Sequence, residues 1–348
     1  MATALIALGS NLGDRKRNLD GAVSQLGRQP NVVVLATSRW RETKPVGGPE
    51  GQAGFLNGAV LLGTSLTPQQ LHAALQQIET AAGRAREGRW APRTLDLDLL
   101  LYDDLVLDTP ELTVPHPRMS FRRFVLEPAA EIAPDMRHPT IGWTIAALRD
   151  HLLGAGPKYI AAVTGPIAAG KSTLVNAVAN QLKLLPLTES VLFTMLERSH
   201  ARQALRRSDH RSLAAAKEWL GWQCRPLTKC LGTTDVISDY WLDQELCLAE
   251  MTLPADKLPE YVRFYDSIAS FAKTARLLVI LDIPPDESWQ RIALEGDHNP
   301  PSLDWLSRHR ELLLRRVGQP GRGPVLRLDG MKLDEAKDEL VAAIQAMQ

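Results

Sequence analysis

The sequence predicts two domains in tandem: an α+β domain with a mainly antiparallel sheet over residues 1–156, then an α/β domain with a parallel sheet over residues 157–348. Three observations carry this. Strand and helix patterns in the first half follow the order βαββαβ. The stretch Gly154-Ala155-Gly156-Pro157 is a compact Gly/Pro break. After it, helices and strands alternate, the pattern of a sheet covered on both faces.

In the first half, Ala4 to Leu8 reads as a buried strand. Gly9-Ser10-Asn11-Leu12-Gly13-Asp14 is a turn that also starts a helix, with Asp14 as its N-cap. That helix runs to about Leu26, with Leu19, Ala22, Val23 and Leu26 at helical spacing. Val32 to Trp40 is a second strand. A loop rich in Pro and Gly, Thr43 to Gly51, is long enough to be functional. Phe55 to Leu62 is a third strand, and Pro68 opens a helix ending near Ala82. The cationic loop Gly83 to Arg89 leads into Asp96-Leu97-Asp98-Leu99, whose alternation is that of a strand with one apolar face. Glu111 to Pro117 is extended, Arg122 to Pro134 is helix-like, and Ile141 to Leu153 is a short amphipathic helix. The order of elements resembles a ferredoxin-like unit.

Composition bounds the partners. Hydrophobic residues make up 45% and charged residues 23% of the 348, ordinary for a globular chain. Lysine plus arginine and aspartate plus glutamate number 40 each, so no overall field favours nucleic acid or a membrane surface. The Arg202–Arg211 cluster, interleaved with Ser, Asp and His, reads as a solvated helix face. Cys224, Cys230 and Cys247 form no disulfide framework and fit a reducing compartment. Met1 to Leu8 lacks a basic leader region, and no apolar run is long enough to span a bilayer. A cytoplasmic protein is the expectation.

The chemistry of the first half centres on Asp96 and Asp98. Two apart on a strand, they project side by side, and like charges so placed call for a cation. Magnesium is commonly held by one or two carboxylates together with substrate phosphates. Arg84, Arg86, Arg89 and Arg93 put four guanidinium forks within ten residues, each able to clamp phosphate oxygens. Phe55, Trp90 and Phe124 are either core or a slot for a flat heterocycle, and Asn57 offers an amide to such a ring.

These residues carry a resemblance. Gly9-Ser10-Asn11-Leu12, Thr43 to Gly48, Phe55-Leu56-Asn57, Gly83-Arg84-Ala85-Arg86, Arg89 to Leu101, Val114-Pro115-His116 and Glu131 to Pro134 match, in order, 6-hydroxymethyl-7,8-dihydropterin pyrophosphokinase of folate biosynthesis. The resemblance covers residues 1 to about 150 and implies pyrophosphoryl transfer from ATP to the pterin hydroxymethyl. It implies Asp96 and Asp98 as ligands of two magnesium ions. Arg84, Arg93, His116 and Arg122 then contact phosphate and nucleotide, with Arg84 and Arg93 acting in catalysis. Phe55, Asn57 and Phe124 form the pterin slot, Thr43 and Val46 give loop contacts, and Arg86, Arg89 and Trp90 lie in a closing loop that meets ATP and substrate.

The second half opens on strand Tyr159 to Thr164, then Gly165-Pro166-Ile167-Ala168-Ala169-Gly170-Lys171-Ser172-Thr173, then a helix to Leu182. This is a complete G-x-x-x-x-G-K-S phosphate loop in strand–loop–helix context. Its amides cradle phosphate, with Gly165, Gly170, Lys171, Ser172 and Thr173 as the ATP contacts and Ser172 holding one magnesium ion. Strands are expected at Leu184–Leu187, Val236–Tyr240, Leu277–Asp282 and Val325–Asp329, with helices at Ala214–Leu231, Ser288–Leu294, Leu303–Val317 and Lys332–Met347.

Residues 158 to 348 resemble the deoxynucleoside kinases among P-loop kinases. The resemblance implies Glu189 as the base that takes the 5′-hydroxyl proton, and Gln223 as the reader of the nucleobase edge. It implies a homodimer through this domain, since that family is commonly dimeric. Two departures stand out. Asp239-Tyr240-Trp241 replaces an acid-Arg-Ser triplet, and Arg291-Ile292 leads into Glu295-Gly296-Asp297 where further arginines belong. Arg308, Arg310, Arg315 and Arg316 are the replacements the next helix offers. Two readings stay open: a bifunctional enzyme acting on dihydropterin and deoxynucleosides, or a pyrophosphokinase fused to a nucleotide-binding regulatory or assembly module.

Overall fold

A computed structural model describes residues 1–47, 51–83, 93–154, 158–189, 212–229, 234–272, 274–294 and 300–348. The chain divides into two compact units, Met1–Gly154 with Ala342–Gln348, and Ala155–Val341. It is a mixed α/β architecture whose second sheet is parallel.

The first unit is built on an antiparallel sheet of β1 (Ala2–Ser10), β2 (Val32–Thr37), β3 (Arg41–Thr43), β4 (Phe55–Thr64) and β5 (Asp96–Tyr102). The strand order is β2-β4-β1-β5, with β3 also paired to β4. A short hairpin of β6 (Leu107–Asp108) and β7 (Thr113–Val114) lies beyond it. Helices α1 (Arg15–Leu26) and α2 (Pro68–Ala81) bury Leu19, Ala22, Leu26, Leu71, Leu75 and Ile78 against Ile6, Leu8, Leu97 and Leu99 of the sheet. Asp14 caps α1 by accepting from the Arg17 amide at 3.0 Å, as its position predicts. Thr67 and Gln70 cap α2 reciprocally. Helix α3 (Arg123–Ile132) packs on β4, and α4 (Ile145–Leu153) packs on α3.

Two expected boundaries shift. The second strand ends at Thr37, short of Trp40, because Ser38 turns its hydroxyl to accept the Ala59 amide at 2.9 Å. The helix expected from Ile141 starts at Ile145, where the Thr144 side chain accepts from the Ala147 amide; Gly142, at φ 81°, still belongs to the turn before it.

The second unit has the parallel order β12-β11-β8-β10-β9, with β8 (Tyr159–Thr164), β9 (Leu185–Leu187), β10 (Val236–Ser238), β11 (Leu277–Asp282) and β12 (Val325–Asp329). Its helices are α5 (Lys171–Leu182), α6 (Leu213–Lys229), α7 (Gln244–Thr252), α8 (Leu258–Ala269), α9 (Pro285–Leu294), α10 (Leu303–Val317) and α11 (Leu333–Ala346), the last as far as Val341. Every residue of β8 is buried, as a central parallel strand requires. Helices α7 and α8 lie outside the elements that the sequence predicts. In α7 Gln244, Glu245, Leu246, Cys247, Ala249 and Thr252 are all buried, so the helix lacks the one-sided stripe that periodicity detects. Among the described residues no helix is long and apolar enough to cross a membrane. Gly154 is described, whereas residues 155–157 of the Gly/Pro break and the Arg202–Arg211 cluster lie outside the described residues.

The Trp40 ring is fixed by its Nε1–H bond to Asp20 Oδ1 at 2.9 Å, and it covers Gly58 so closely that an added Cβ would lie 2.3 Å from the ring. Gly58→Ala should therefore lower stability by about 1–3 kcal/mol. Gly21→Ala, at a position in α1 with nothing within 4 Å, should leave it unchanged or raise it by about 0.5–1 kcal/mol. Urea denaturation of both variants checks the pair.

Candidate functional sites

In the first unit, β5 sets the site. Leu97 and Leu99 are buried in the core while Asp96 and Asp98 alternate with them on the other face, each partly exposed. The Asp96 row of the sheet crosses Gly9 and then Asn57 on neighbouring strands. Gly9 keeps this row low: a Cβ there would approach Asn57 Oδ1 to 3.0 Å, with Phe55 and Asp96 carbons at 3.9 Å. Asn57 Nδ2 donates to Thr43 Oγ1 at 2.7 Å. The structure thus brings Thr43, Phe55, Asn57 and Asp96 together over one glycine.

The approach to β5 is clasped by the Gly9-Ser10-Asn11 turn. Asn11 N–H donates to the Arg93 carbonyl at 3.0 Å, and the Arg93 amide donates to Asn11 Oδ1 at 2.7 Å. Ser10 Oγ and Asn18 Nδ2 donate to the Thr94 carbonyl at 2.6 and 3.0 Å. So held, the Arg93 guanidinium lies against both oxygens of Asp96, at 3.0 and 2.9 Å. On the strand's other edge the Leu97 amide donates to the buried carboxylate of Glu79 on α2 at 2.7 Å.

The segment after β7 supplies the cations. His116 N–H donates to the Leu100 carbonyl at 2.9 Å, which fixes the residue beside β5. Its Nδ1 accepts the Arg118 amide at 3.1 Å. The neutral ring therefore carries its proton on Nε2, 3.9 Å from Asp98 Oδ2. Burial, with Arg122 and Arg118 nearby, pushes the His116 pKa down to about 3, so the ring is neutral at physiological pH. Burial also lowers the Arg122 pKa, and Asp98 and Asp96 act against that shift. The Arg122 guanidinium lies 5.6 Å from the Phe124 ring centroid, within cation–π range. Val46 is half-buried. Arg84, Arg86, Arg89 and Trp90 lie outside the described residues.

Two adjacent carboxylates form a hard-oxygen donor set that fits magnesium bound jointly with substrate phosphates. Among the described residues no group of three or more His, Cys, Asp or Glu is placed to hold a metal ion without such help.

In the second unit, Gly165 to Gly170 joins β8 to α5. Gly165 has φ 153°, and a Cβ there would lie 2.2 Å from the Leu281 carbonyl oxygen. Ala168 and Gly170 take left-handed conformations at φ 59° and 91°. No side chain caps α5, so the first-turn amides are open to an anion. Lys171 Nζ folds over the loop onto the Gly165 and Pro166 carbonyls at 3.2 and 3.0 Å. Burial lowers its pKa, against the pull of Glu189 and Asp239. Ser172 and Thr173 are exposed at the start of the helix.

Three adjacent strand ends converge there. Ser172 Oγ donates to Asp239 Oδ2, and the Glu189 amide donates to Asp239 Oδ1 at 2.8 Å. Asp239 follows β10 and Glu189 follows β9. Burial raises the Asp239 pKa, and these hydrogen bonds and Lys171 oppose it. Hydroxyl and carboxylate side by side are a donor pair that fits magnesium. Asp239 stands in the sequence as the acid of the Asp239-Tyr240-Trp241 triplet; its bond to Ser172 gives it a larger part. Gln223 Nε2 donates to Glu189 Oε1 at 3.0 Å and to Glu245 Oε1 at 3.3 Å. Trp219 is 2% exposed and belongs to the core. Of the arginines on α10, Arg310 is bidentate on Asp282 at 2.7 Å, and Arg315 and Arg316 pair with Glu250. Arg308 is exposed.

Carboxylates beside guanidinium groups at the start of β5 are an arrangement suited to binding phosphate. A family model described as 7,8-dihydro-6-hydroxymethylpterin-pyrophosphokinase matches residues 5–134. The chain is 54% identical over 129 residues to 2-amino-4-hydroxy-6-hydroxymethyldihydropteridine pyrophosphokinase of Bacillus subtilis, covering 37% of this chain and 77% of that protein. It is 44% identical over 145 residues to the protein of that name from Synechocystis, covering 42% and 73%. Through its first unit the chain belongs to the 7,8-dihydro-6-hydroxymethylpterin-pyrophosphokinase family. A solved structure of deoxyadenosine kinase from M. mycoides overlaps 54% of this chain and 99% of its own at a TM-score of 0.46 and 13% identity, too slight a likeness to bear on the second unit.

Gly165→Ala adds both the Leu281 clash and a backbone conformation that L residues rarely adopt. It should destabilise the second unit by at least about 2 kcal/mol, read by thermal unfolding of the variant beside the parent chain.

Proposed function

We propose that the first unit transfers a pyrophosphoryl group from ATP to the hydroxymethyl of 6-hydroxymethyl-7,8-dihydropterin, with AMP released. The observation that carries this is the row Asn57–Gly9–Asp96, which sets the Asn57 amide and the carboxylate pair on one sheet face with no side chain at Gly9 between them. Phe55 and Phe124 hold the pterin faces and Asn57 reads its edge, with Thr43 orienting the amide and Val46 closing the loop side. Asp96 and Asp98 would hold magnesium, which supplies charge neutralisation on the transferring phosphates. Arg122 and the Nε2–H of His116 bind phosphate oxygens, and Arg93 turns from Asp96 to the same task. The pterin hydroxyl oxygen bonds to the β-phosphorus, the bond from that phosphorus to the AMP oxygen breaks, and the hydroxyl proton passes to solvent. Catalysis of this kind is mostly positioning and electrostatics. Arg84 takes the phosphate contact, and Arg86, Arg89 and Trp90 the closing-loop roles, that the family implies. The strand order β2-β4-β1-β5 supports a ferredoxin-like reading of this unit.

We propose for the second unit ATP-dependent 5′-phosphorylation of a deoxynucleoside. Gly165, Gly170, Lys171 and Thr173 cradle the ATP phosphates. Ser172 with Asp239 would hold magnesium, and Glu189 takes the proton of the 5′-hydroxyl. Support comes from the hydrogen bonds that tie Ser172, Asp239 and Glu189 into one constellation. A second reading, a nucleotide-binding module with weak turnover, is favoured by the ion pairs that hold Arg310, Arg315 and Arg316 on acidic side chains.

One assay separates the sites. With ATP, magnesium and the dihydropterin, the chain should form AMP, and Asp96→Ala or Asp98→Ala should slow this by at least about 100-fold. With ATP and a deoxynucleoside it should form ADP. Lys171→Ala should abolish ADP formation and leave AMP formation intact. Absence of AMP above the pterin-free control would overturn the first assignment.

A further inference from the structure

Arg15 opens α1, directly after the capping residue Asp14. Its Nη1 donates to Glu42 Oε1 at 2.8 Å and to the Gly54 carbonyl at 2.7 Å. These two residues are the feet of one loop. Glu42 lies in β3, one residue before the strand ends at Thr43, and Gly54 stands one residue before β4 begins at Phe55. Thr43 and Phe55 face each other as the last pair of the β3–β4 ladder. A single guanidinium nitrogen thus joins the two chains where they part into the Pro/Gly loop. Gly54 lets them pass closely: a Cβ there would lie 3.2 Å from the Thr43 carbonyl oxygen and 3.7 Å from both Arg15 Nη1 and Glu42 Oε1.

Sheet geometry puts this contact behind the site. Side chains alternate between faces along a strand. Leu56, the ladder partner of Glu42, packs on the core under α1 and α2. Thr43, Phe55 and Asn57 therefore share the opposite face, with Asp96 related to Asn57 through Gly9. Arg15 grips the loop from the helix side, and its effect passes through Thr43. The Thr43 hydroxyl accepts from Asn57 Nδ2 at 2.7 Å, so the place of Thr43 sets which way the Asn57 amide turns. Exposed ion pairs add little stability, and the Glu42 side chain is 68% exposed. What this pair fixes is the spacing of two strand ends.

We infer that Arg15 is a positioning residue for the pterin: by pinning Glu42 and Gly54 it holds Thr43 and Phe55 where Phe55 and Asn57 receive the ring together. The inference rests on the pterin reading of this unit. It gives the first residue of α1 control over pterin affinity and leaves the phosphate contacts of Asp96, Asp98 and the cations as they are.

The test uses the full chain with ATP, magnesium and 6-hydroxymethyl-7,8-dihydropterin. Arg15→Met keeps an apolar stem and removes the donor. It should raise KM for the dihydropterin by about 5- to 20-fold, while kcat and KM for ATP stay within about twofold of the parent. Arg15→Lys should bring the dihydropterin KM back to within about threefold, since only one nitrogen of the fork is used here. Lys16→Met, which removes the neighbouring ammonium from Asp20, should change neither KM. Glu42→Ala added to Arg15→Met should raise the dihydropterin KM no further, because both act on one contact. An unchanged dihydropterin KM in Arg15→Met, or both KM values and kcat moving together, overturns the inference. Calorimetric binding of the dihydropterin beside a non-hydrolysable ATP analogue reads the same point without turnover, and Kd should rise by the same factor. A parent chain that binds the dihydropterin and forms no AMP removes the transfer reading, and the ratio of Kd values then decides the inference. Equal binding by parent and Arg15→Met, or binding by neither, overturns it.

Discussion

The first unit depends on the two-residue period of β5. Burying Leu97 and Leu99 against α1 and α2 leaves Asp96 and Asp98 no choice of face. A one-residue slip would send both carboxylates into the apolar core, where each would need a partner it lacks. The hydrophobic core and the charged site are thus specified by the same seven residues. The clasp between Asn11 and Arg93 then fixes where the strand begins and brings a guanidinium to the first carboxylate.

In the second unit the corresponding constraint is a single carboxylate. Asp239 accepts from the Ser172 hydroxyl with one oxygen and from the Glu189 amide with the other. It therefore registers the phosphate loop, after β8, against the residue proposed to take the substrate proton, after β9. Strand β10 stands between those two in the sheet, which makes its exit the natural position for this bridge. The two units solve a shared problem differently: one displays a carboxylate pair on a strand face, the other gathers single residues from neighbouring strand ends.

Much of this was legible in the residues. The Leu-Asp alternation gave β5 and its polar face, and the capping residue Asp14 gave the start of α1. The turn from Gly165 to Gly170 between β8 and α5 was readable because these glycines occupy conformations and contacts that side chains resist. What escaped was long-range. The turn at Ser38 depends on Ala59, and the bond from Glu79 to Leu97 joins residues 18 apart. Glu245 escaped for a further reason: it is an acid in a helix buried nearly all round, and acidic residues inside usually read as surface. Local pattern shows which face a strand buries; it does not show which distant polar atom completes a hydrogen bond.

The bond between Glu79 and the Leu97 amide has one more consequence. Strand β5 ends the path β2-β4-β1-β5, so its outer side offers main-chain donors to any passing strand. Exposed edges of this kind are templates for intermolecular pairing. A carboxylate from α2 occupies one of those donors at 2.7 Å, and in doing so it denies a second chain a foothold beside the two aspartates. The helix that packs the core thereby also satisfies a main-chain donor at the edge of the strand that carries the aspartates.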